Sequence, residues 1–113
     1  MERGIRIQSE AGKSTIVPRM NDMQNLEYIS QGRDGYVVYK DETSTIKFYF
    51  EFGGGNCVAI IFVPTADKWE SNTKRSLEER ENILNYVGQQ ATKDQTKNGR
   101  FKIQDNCIEI YSK

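Results

Sequence analysis

The fold is decided by residues 46–64, which read IKFYFEFGGGNCVAIIFVP. In the first seven positions apolar and polar side chains alternate strictly, which is the period of a half-buried β-strand. One face of this strand therefore carries an apolar set and the other a polar row. The apolar set is Ile46, Phe48, Phe50 and Phe52, and the polar row is Lys47, Tyr49 and Glu51.

The remainder of this stretch predicts a hairpin partner for that strand. Three glycines at 53–55 predict a loop that needs left-handed backbone conformations. Residues 57–63 are apolar at every position, which is typical of a central strand covered on both faces. Pro64 ends the strand, because proline lacks the N–H that a central strand donates to its neighbour.

The one long helix is predicted over residues 76–93. Ser76-Leu77-Glu78-Glu79 matches a capping box, in which the serine and glutamate side chains satisfy N-terminal backbone N–H groups. At about 100° per residue, one side of the helix collects the apolar residues. These are Leu77, Ile83, Leu84, Val87 and Ala91. The preceding residues 67–75 are polar apart from Trp69 and predict an irregular connection.

Residues 101–111 predict a closing hairpin. Asp105-Asn106 is a two-residue loop with the composition of a type I′ turn. The register that follows pairs Phe101 with Ile110, Lys102 with Glu109 and Ile103 with Ile108. Apolar residues then share one face of the hairpin, and opposite charges meet on the other.

The N-terminal third predicts shorter elements. Residues 5–7, 15–17, 26–29 and 36–39 have the composition of short strands. Turns are predicted at residues 10–13 and 32–35, and in the second of these both glycines tolerate a positive φ.

The order of strands, helix and hairpin predicts a single α+β domain over residues 1–113. We expect a largely antiparallel sheet, built from a meander plus the C-terminal hairpin, with the long helix packed on one face. A doubly wound fold would instead alternate strands and helices. The expected core between sheet and helix comprises Phe48, Phe50, Leu84, Val87, Ile103, Ile108 and Ile110.

Composition limits the classes of function. The 113 residues include sixteen Lys and Arg against sixteen Asp and Glu, so the chain lacks the basic excess that most nucleic-acid binders use. No apolar run approaches the ~20 residues that cross a bilayer, and the N-terminus lacks the apolar segment of a signal peptide. We therefore expect no nucleic acid, no membrane partner and a cytoplasmic location, with Cys57 and Cys107 as free thiols.

The sequence contains no histidine. This excludes Ser-His-Asp and Cys-His catalytic devices, and two cysteines alone cannot build a four-ligand zinc site. We therefore expect no metal and no cofactor. Residues 11–15 look like the end of a phosphate-binding loop, but Ile7 stands where that motif needs glycine and a strand pattern follows where it needs a helix. We interpret these residues as a turn.

Several polar and aromatic residues are candidates for a binding site. The polar row Lys47, Tyr49 and Glu51 suits a recognition surface, although any alternating strand also has a solvent face. Trp69 lies in a polar connection, and Tyr86 is expected opposite the apolar side of the helix. Exposed aromatic residues are favoured at interfaces, whereas a tryptophan in a loop can instead fold back over the core.

Arg80 is the exception on the apolar side of the helix. A charge placed there needs partners, because an unpaired buried charge costs several kcal/mol, on the order of 3–5. Asp67 and Glu70 precede the helix and are within reach, and loop carbonyls are the other candidates. We expect Arg80 to be a structural charge anchor.

These observations favour a non-enzymatic protein-binding domain that acts on a protein partner or by self-association. One helix covers one face of a sheet, so the second face of residues 57–63 is expected to bind a second copy or a partner unless the N-terminal segment covers it. A small bacterial immunity or inhibitor protein fits this class by size and type, as an analogy. The alternatives are a small-molecule or lipid binder with a pocket between sheet and helix, and an enzyme that uses Lys, Tyr, Glu and Arg without histidine or metal.

Overall fold

The computed structural model describes residues 24–113. In this part of the chain six strands form one antiparallel sheet, accompanied by two helices and a 3₁₀ turn. The strands are β1 Asn25–Ser30, β2 Asp34–Lys40, β3 Thr45–Phe52, β4 Cys57–Phe62, β5 Arg100–Ile103 and β6 Cys107–Tyr111. The helices are α1 Ala66–Thr73 and α2 Arg80–Gln95, and the 3₁₀ turn is Leu77–Glu79.

Strand order in the sheet is β1-β2-β3-β4-β6-β5. The first four strands are a meander, and the C-terminal hairpin joins the sheet through β6 beside β4. The predicted α+β fold, with an antiparallel sheet and one long helix, is confirmed. The elements predicted at residues 5–7, 10–13 and 15–17 lie outside the described residues. The same holds for residues 11–15, which look like the end of a phosphate-binding loop.

Contacts divide the chain into two units. The larger unit comprises Leu26–Tyr39 and Thr45–Lys113. The turn between β2 and β3, Lys40–Ser44, belongs to the smaller unit. Within that turn the Asp41 carboxylate accepts hydrogen bonds from the backbone N–H groups of Thr43 and Ser44. This is the local pairing by which aspartate commonly stabilises a turn.

The hydrophobic core lies between the sheet and α2. On β3 the buried residues are Ile46, Phe48 and Phe50, which alternate along the strand as predicted. The remaining core comprises Val37, Tyr39, Ala59, Ile61, Val63, Trp69, Ile83, Leu84, Val87, Ala91, Ile108 and Ile110, with Ile103 half-buried against it. The predicted core cluster is thus confirmed, and its least buried member lies on the short edge strand β5.

Helix α2 follows the 3₁₀ turn and ends at Gln95, close to the predicted end. The predicted capping box is present: the Glu79 carboxylate accepts a hydrogen bond from the Ser76 backbone N–H at 3.2 Å, and the Ser76 side chain accepts one from the Glu79 backbone N–H. Leu77 was predicted on the buried side, but its exposure is 47 %. The tighter winding of the 3₁₀ turn takes Leu77 out of phase with the apolar side of α2.

Helix α1 occupies residues that were predicted to be an irregular connection, so that prediction is wrong. The helix sequence, ADKWESNT, has only one large apolar residue and hence no apolar period. That residue, Trp69, is 0 % exposed, and its indole N–H donates to the Ser76 carbonyl at 2.9 Å. Lys74 ends the helix in the left-handed region at φ 64°, with its N–H bonded to the Glu70 carbonyl at 2.9 Å.

The two hairpins have the predicted pairing, and only the turn of β5–β6 differs in conformation from the prediction. In β5–β6 the pairs are Phe101 with Ile110, Lys102 with Glu109 and Ile103 with Ile108, as predicted. Among the described residues Lys74 alone, apart from glycine, has a positive φ, so the loop at Asp105 and Asn106 is not a type I′ turn. In β3–β4 the expected left-handed residue is Gly55, at φ 60°.

The turn between β1 and β2 uses its two glycines differently. Gly32 has a φ of 86°, as predicted for a turn glycine. Gly35 was also expected to tolerate a positive φ, but it lies inside β2 without one. A Cβ at Gly35 would come within 1.9 Å of the Ile29 carbonyl oxygen, so close approach of the backbones explains this glycine.

Replacing Phe50 by alanine tests which face of β3 is buried. We expect the free energy of unfolding to fall by about 3–5 kcal/mol, because a fully packed aromatic ring is lost and a cavity remains. Urea unfolding followed by circular dichroism measures the change. Phe52 is 43 % exposed at the end of the same strand, so Phe52→Ala is the matched control and should cost clearly less. Equal losses for the two variants would contradict the assignment.

A second prediction concerns the pH dependence of stability at the start of α2. The side chain of Arg75 is only 4 % exposed. It donates two hydrogen bonds to Glu79 Oε1, one from Nε at 3.1 Å and one from Nη2. This hydrogen bond, opposed in part by burial, lowers the pKa of the Glu79 carboxyl below its ordinary 4.5. A lowered folded-state pKa contributes stability above pH 4.5, and that contribution is lost as the pH falls through the folded-state pKa.

We therefore expect Glu79→Gln to lower the free energy of unfolding at neutral pH. The difference from the wild type should shrink as the pH falls below 4.5, because the protonated wild-type side chain then resembles glutamine. Urea unfolding at several pH values measures both curves. A difference that stays constant from neutral to acid pH would contradict the assigned pairing with Arg75.

Candidate functional site

The candidate site is the outer face of the sheet, opposite α2. Because side chains alternate along each strand, the residues between the core positions of β2, β3 and β4 point to this face. Three of them form what we call the aromatic strip: Tyr36 on β2, Tyr49 on β3 and Phe62 on β4. The Tyr36 and Tyr49 ring centroids are 5.9 Å apart in an edge-on arrangement. Tyr49 and Phe62 are stacked at 5.8 Å with 25° between ring planes.

The register of the sheet creates the strip. Glu51 is paired with Ile60 across β3 and β4, so Tyr49, two residues earlier, lies opposite Phe62. The strip therefore runs across three strands and perpendicular to them. Contacts of 4.5–7 Å between ring centroids are favourable, so the three rings support one another.

Charged residues stand on both sides of the strip. The Tyr49 hydroxyl donates to Asp34 Oδ2 at 2.8 Å and lies 3.2 Å from Glu51 Oε2. On the other side, Lys47 Nζ lies 4.8 Å from the centre of the Tyr36 ring, within the range of a cation–π contact. Lys47 and Glu51 are both exposed, and neither forms an ion pair with another of residues 24–113.

The hydroxyl of Tyr49 acts as a donor in this arrangement. Its hydrogen bond to Asp34 is the main cause that raises the pKa of Tyr49 far above its ordinary value, followed by desolvation. The phenol is therefore protonated at neutral pH, and it donates a hydrogen bond to the Asp34 carboxylate on one side of the strip. This fixes the position of that charge relative to the rings.

The structure brings together only part of the predicted set of binding residues. Lys47, Tyr49 and Glu51 share the outer face of β3, as the alternation requires. Trp69 is enclosed in the core on the other side of the sheet, where no partner can reach it. Tyr86 was expected opposite the apolar side of α2, but it packs edge-on against Tyr39 at 5.8 Å and is half-buried beside the core.

Sequence analysis missed three residues of this surface: Tyr36, Phe62 and Asp34. Tyr36 and Phe62 lie within the strands predicted at 36–39 and 57–63, and Asp34 lies just before the first of these. Continuing the β3–β4 hairpin register would have placed Phe62 opposite Tyr49. The position of Tyr36 depends on the register between β2 and β3, which the sequence analysis did not assign.

Two cavities bear on ligand binding. The pocket expected between sheet and helix is a cavity of about 30 Å³ near Tyr28, Phe52 and Gln95, with room for little more than a water molecule. A wider, open groove of about 330 Å³ lies at one end of β3 and β4. Its lining includes Lys47, Tyr49 and Phe62 of the outer face as well as the core-side residues Phe48 and Thr73, so the groove adjoins the aromatic strip.

The described residues give no other candidate centre. Within residues 24–113 there is no group of three or more Cys, Asp or Glu placed to hold a metal ion. Both cysteines are free and half-buried, and burial raises the pKa of the Cys107 thiol. Neither helix of this part of the chain has the length and apolar content needed to cross a membrane.

Comparison with known proteins adds no functional information. No protein family, no curated protein and no solved structure matches this chain. Function must therefore be argued from the surface itself.

Arg80 connects three elements away from the outer face. Its guanidinium donates from Nε and Nη2 to the Pro64 carbonyl at 3.3 and 3.0 Å, and from Nη2 to the Asp105 carbonyl at 2.7 Å. Its partners are thus loop carbonyls, and its hydrogen bonds do not involve Asp67 or Glu70. The side chain joins the start of α2 to the end of β4 and to the β5–β6 turn.

Arg80→Met should lower the free energy of unfolding by about 1–2 kcal/mol, because two carbonyls lose a charged donor. Thermal and urea unfolding measure the loss. Arg80→Lys is the control: its single ammonium cannot span both carbonyls, and it should recover only part of the stability. A methionine variant indistinguishable from the wild type would contradict the anchoring role.

Proposed function

We propose that this chain is a non-enzymatic protein-binding domain and that the outer face of its sheet is the binding surface. The aromatic strip is the observation that carries this proposal. Phe62 is 37 % exposed at one end of the strip, and Tyr49 lies half-buried at its centre. Aromatic residues are enriched in the cores of protein interfaces, and a polar rim usually surrounds them.

The composition of the surface supports a protein partner. The face is mixed, with three aromatic rings in its middle, carboxylates on one side and a lysine on the other. Such a surface suits another folded protein, where apolar contact at the centre is combined with charged contacts around it. A phosphate backbone would instead require a surplus of positive charge, and Lys47 is opposed here by Asp34 and Glu51.

The partner that we favour is a second copy of the chain. Self-association buries the aromatic strip without requiring a different protein. Most homo-oligomers are symmetric dimers. A small bacterial immunity or inhibitor protein, which would use the same face on a different protein, remains the analogy that fits by size. The two free thiols support a cytoplasmic setting for either role.

Tyr49→Glu tests the proposal. It removes the central ring and places a third carboxylate beside Asp34 and Glu51, so we expect like-charge repulsion to abolish association. Static light scattering over about 10–500 µM, a range that detects micromolar dissociation constants, compares the variant with the wild type. Asn85→Glu introduces the same charge on the exposed side of α2 and should leave association unchanged.

Circular dichroism of all three proteins shows whether the fold is retained. A wild type that is strictly monomeric at about 500 µM would contradict self-association, since even weak specific dimers form at that concentration. Equal loss of association in Tyr49→Glu and Asn85→Glu would contradict the assignment of the surface.

A further inference from the structure

On β3 the aromatic strip separates a positive charge from a negative one. Lys47 lies two residues before Tyr49 on β3, and Glu51 lies two residues after it. Asp34 reaches the Tyr49 hydroxyl from β2 and adds to the acidic half. Along β3 the sequence of features is therefore positive, aromatic, negative, with about 13 Å between the two charged residues.

This order is self-complementary under one twofold rotation. If the axis lies in the plane of the interface and runs along the strip, the rotation reverses the direction of β3. Lys47 of one copy then faces Glu51 of the other, and Glu51 faces Lys47, while each ring of the strip meets its own copy. An isologous interface has this property, in which contacts between two different residues occur twice.

The alternative rotation is unfavourable. If the axis ran along β3, the two strands would be parallel, and Lys47 would face Lys47 while Glu51 faced Glu51. Like charges placed together across an interface cost several kcal/mol and exclude the wrong arrangement. The charges therefore select the antiparallel arrangement over the parallel one.

We propose that two copies associate face to face through a twofold axis along Tyr36, Tyr49 and Phe62, with two Lys47–Glu51 ion pairs on either side of it. The inference rests on the proposed function, since it specifies how the same surface binds. Packed sheets lie about 10 Å apart, a distance that side chains of this size span from both sides.

The contacts that Lys47 and Glu51 make within the chain support this pairing. Among residues 24–113, Lys47 Nζ contacts the face of the Tyr36 ring, and Glu51 Oε2 lies 3.2 Å from the Tyr49 hydroxyl. Both retain hydrogen-bonding capacity toward solvent, where a partner can use it.

Charge reversal tests the arrangement. Lys47→Glu and Glu51→Lys each convert two attractive contacts into two repulsive ones, so each should raise the dissociation constant of the dimer at least about tenfold. The double variant Lys47→Glu/Glu51→Lys restores both pairs with exchanged signs and should lie within about threefold of the wild type. An equimolar mixture of the two single variants should form a mixed dimer, in which every facing pair is again of opposite charge.

Sedimentation equilibrium of each protein, and of the mixture, gives the dissociation constants. Added salt provides a second readout, because it screens attraction and repulsion alike. The wild-type dimer should weaken with salt, and the Lys47→Glu dimer should strengthen. Circular dichroism of each variant shows whether it is folded.

The outcomes separate this inference from the proposed function. If Tyr49→Glu abolishes the dimer while Lys47→Glu leaves its dissociation constant unchanged, the surface binds a second copy in another arrangement and the twofold pairing is overturned. If salt strengthens the wild-type dimer, attractive Lys47–Glu51 pairs do not hold it together and the twofold pairing is overturned. A wild-type monomer at about 500 µM overturns both.

Discussion

The packing of α2 against one face of the sheet is the contact on which the other features depend. Leu84 and Val87 of the helix and Ile108 and Ile110 of β6 are almost completely inaccessible in a single cluster. Burial of such side chains supplies most of the favourable free energy of folding. It also fixes the direction of every strand residue, because a side chain that does not face α2 must face the opposite side.

This asymmetry explains why the recognition chemistry lies where it does. The residues that face α2 are constrained to apolar types, whereas the alternate positions of β2, β3 and β4 are free to carry rings and charges. The junction before α2 has a different role. There Trp69, Arg75 and Arg80 make hydrogen bonds to a carbonyl, a carboxylate and two loop carbonyls respectively, and these bonds fix where α2 begins.

The features that the sequence predicted correctly are those set by neighbours along the chain. Strict alternation placed Lys47 and Phe50 on opposite faces, and turn composition fixed the pairing of Ile103 with Ile108. Helix α1 was not predicted, because its packing depends on one tryptophan and not on a repeating apolar pattern.

The site was predictable to a smaller extent, for a related reason. The polar row on β3 followed from alternation, but the aromatic strip exists only when three strands are aligned in register. Tyr86 shows the same limit: its angular position on α2 suggested exposure, and only the placement of Tyr39 on β2 explains why its ring is covered. Arg80 was expected near carboxylates, yet the hairpin turn that supplies one of its carbonyls lies 25 residues further along the chain.

The pairing of β4 with β6 has a consequence for how the chain folds. Phe62 is paired with Cys107, 45 positions later, whereas all other neighbouring strands follow one another directly in the sequence. Contacts between distant residues slow folding, because the intervening segment must lose entropy before they form. Here that segment contains two helices, and a preformed helix advances only about 1.5 Å per residue, which shortens the distance to be closed. We therefore expect the meander and the β5–β6 hairpin to form early, and docking of β6 onto β4 to be the step that limits the rate.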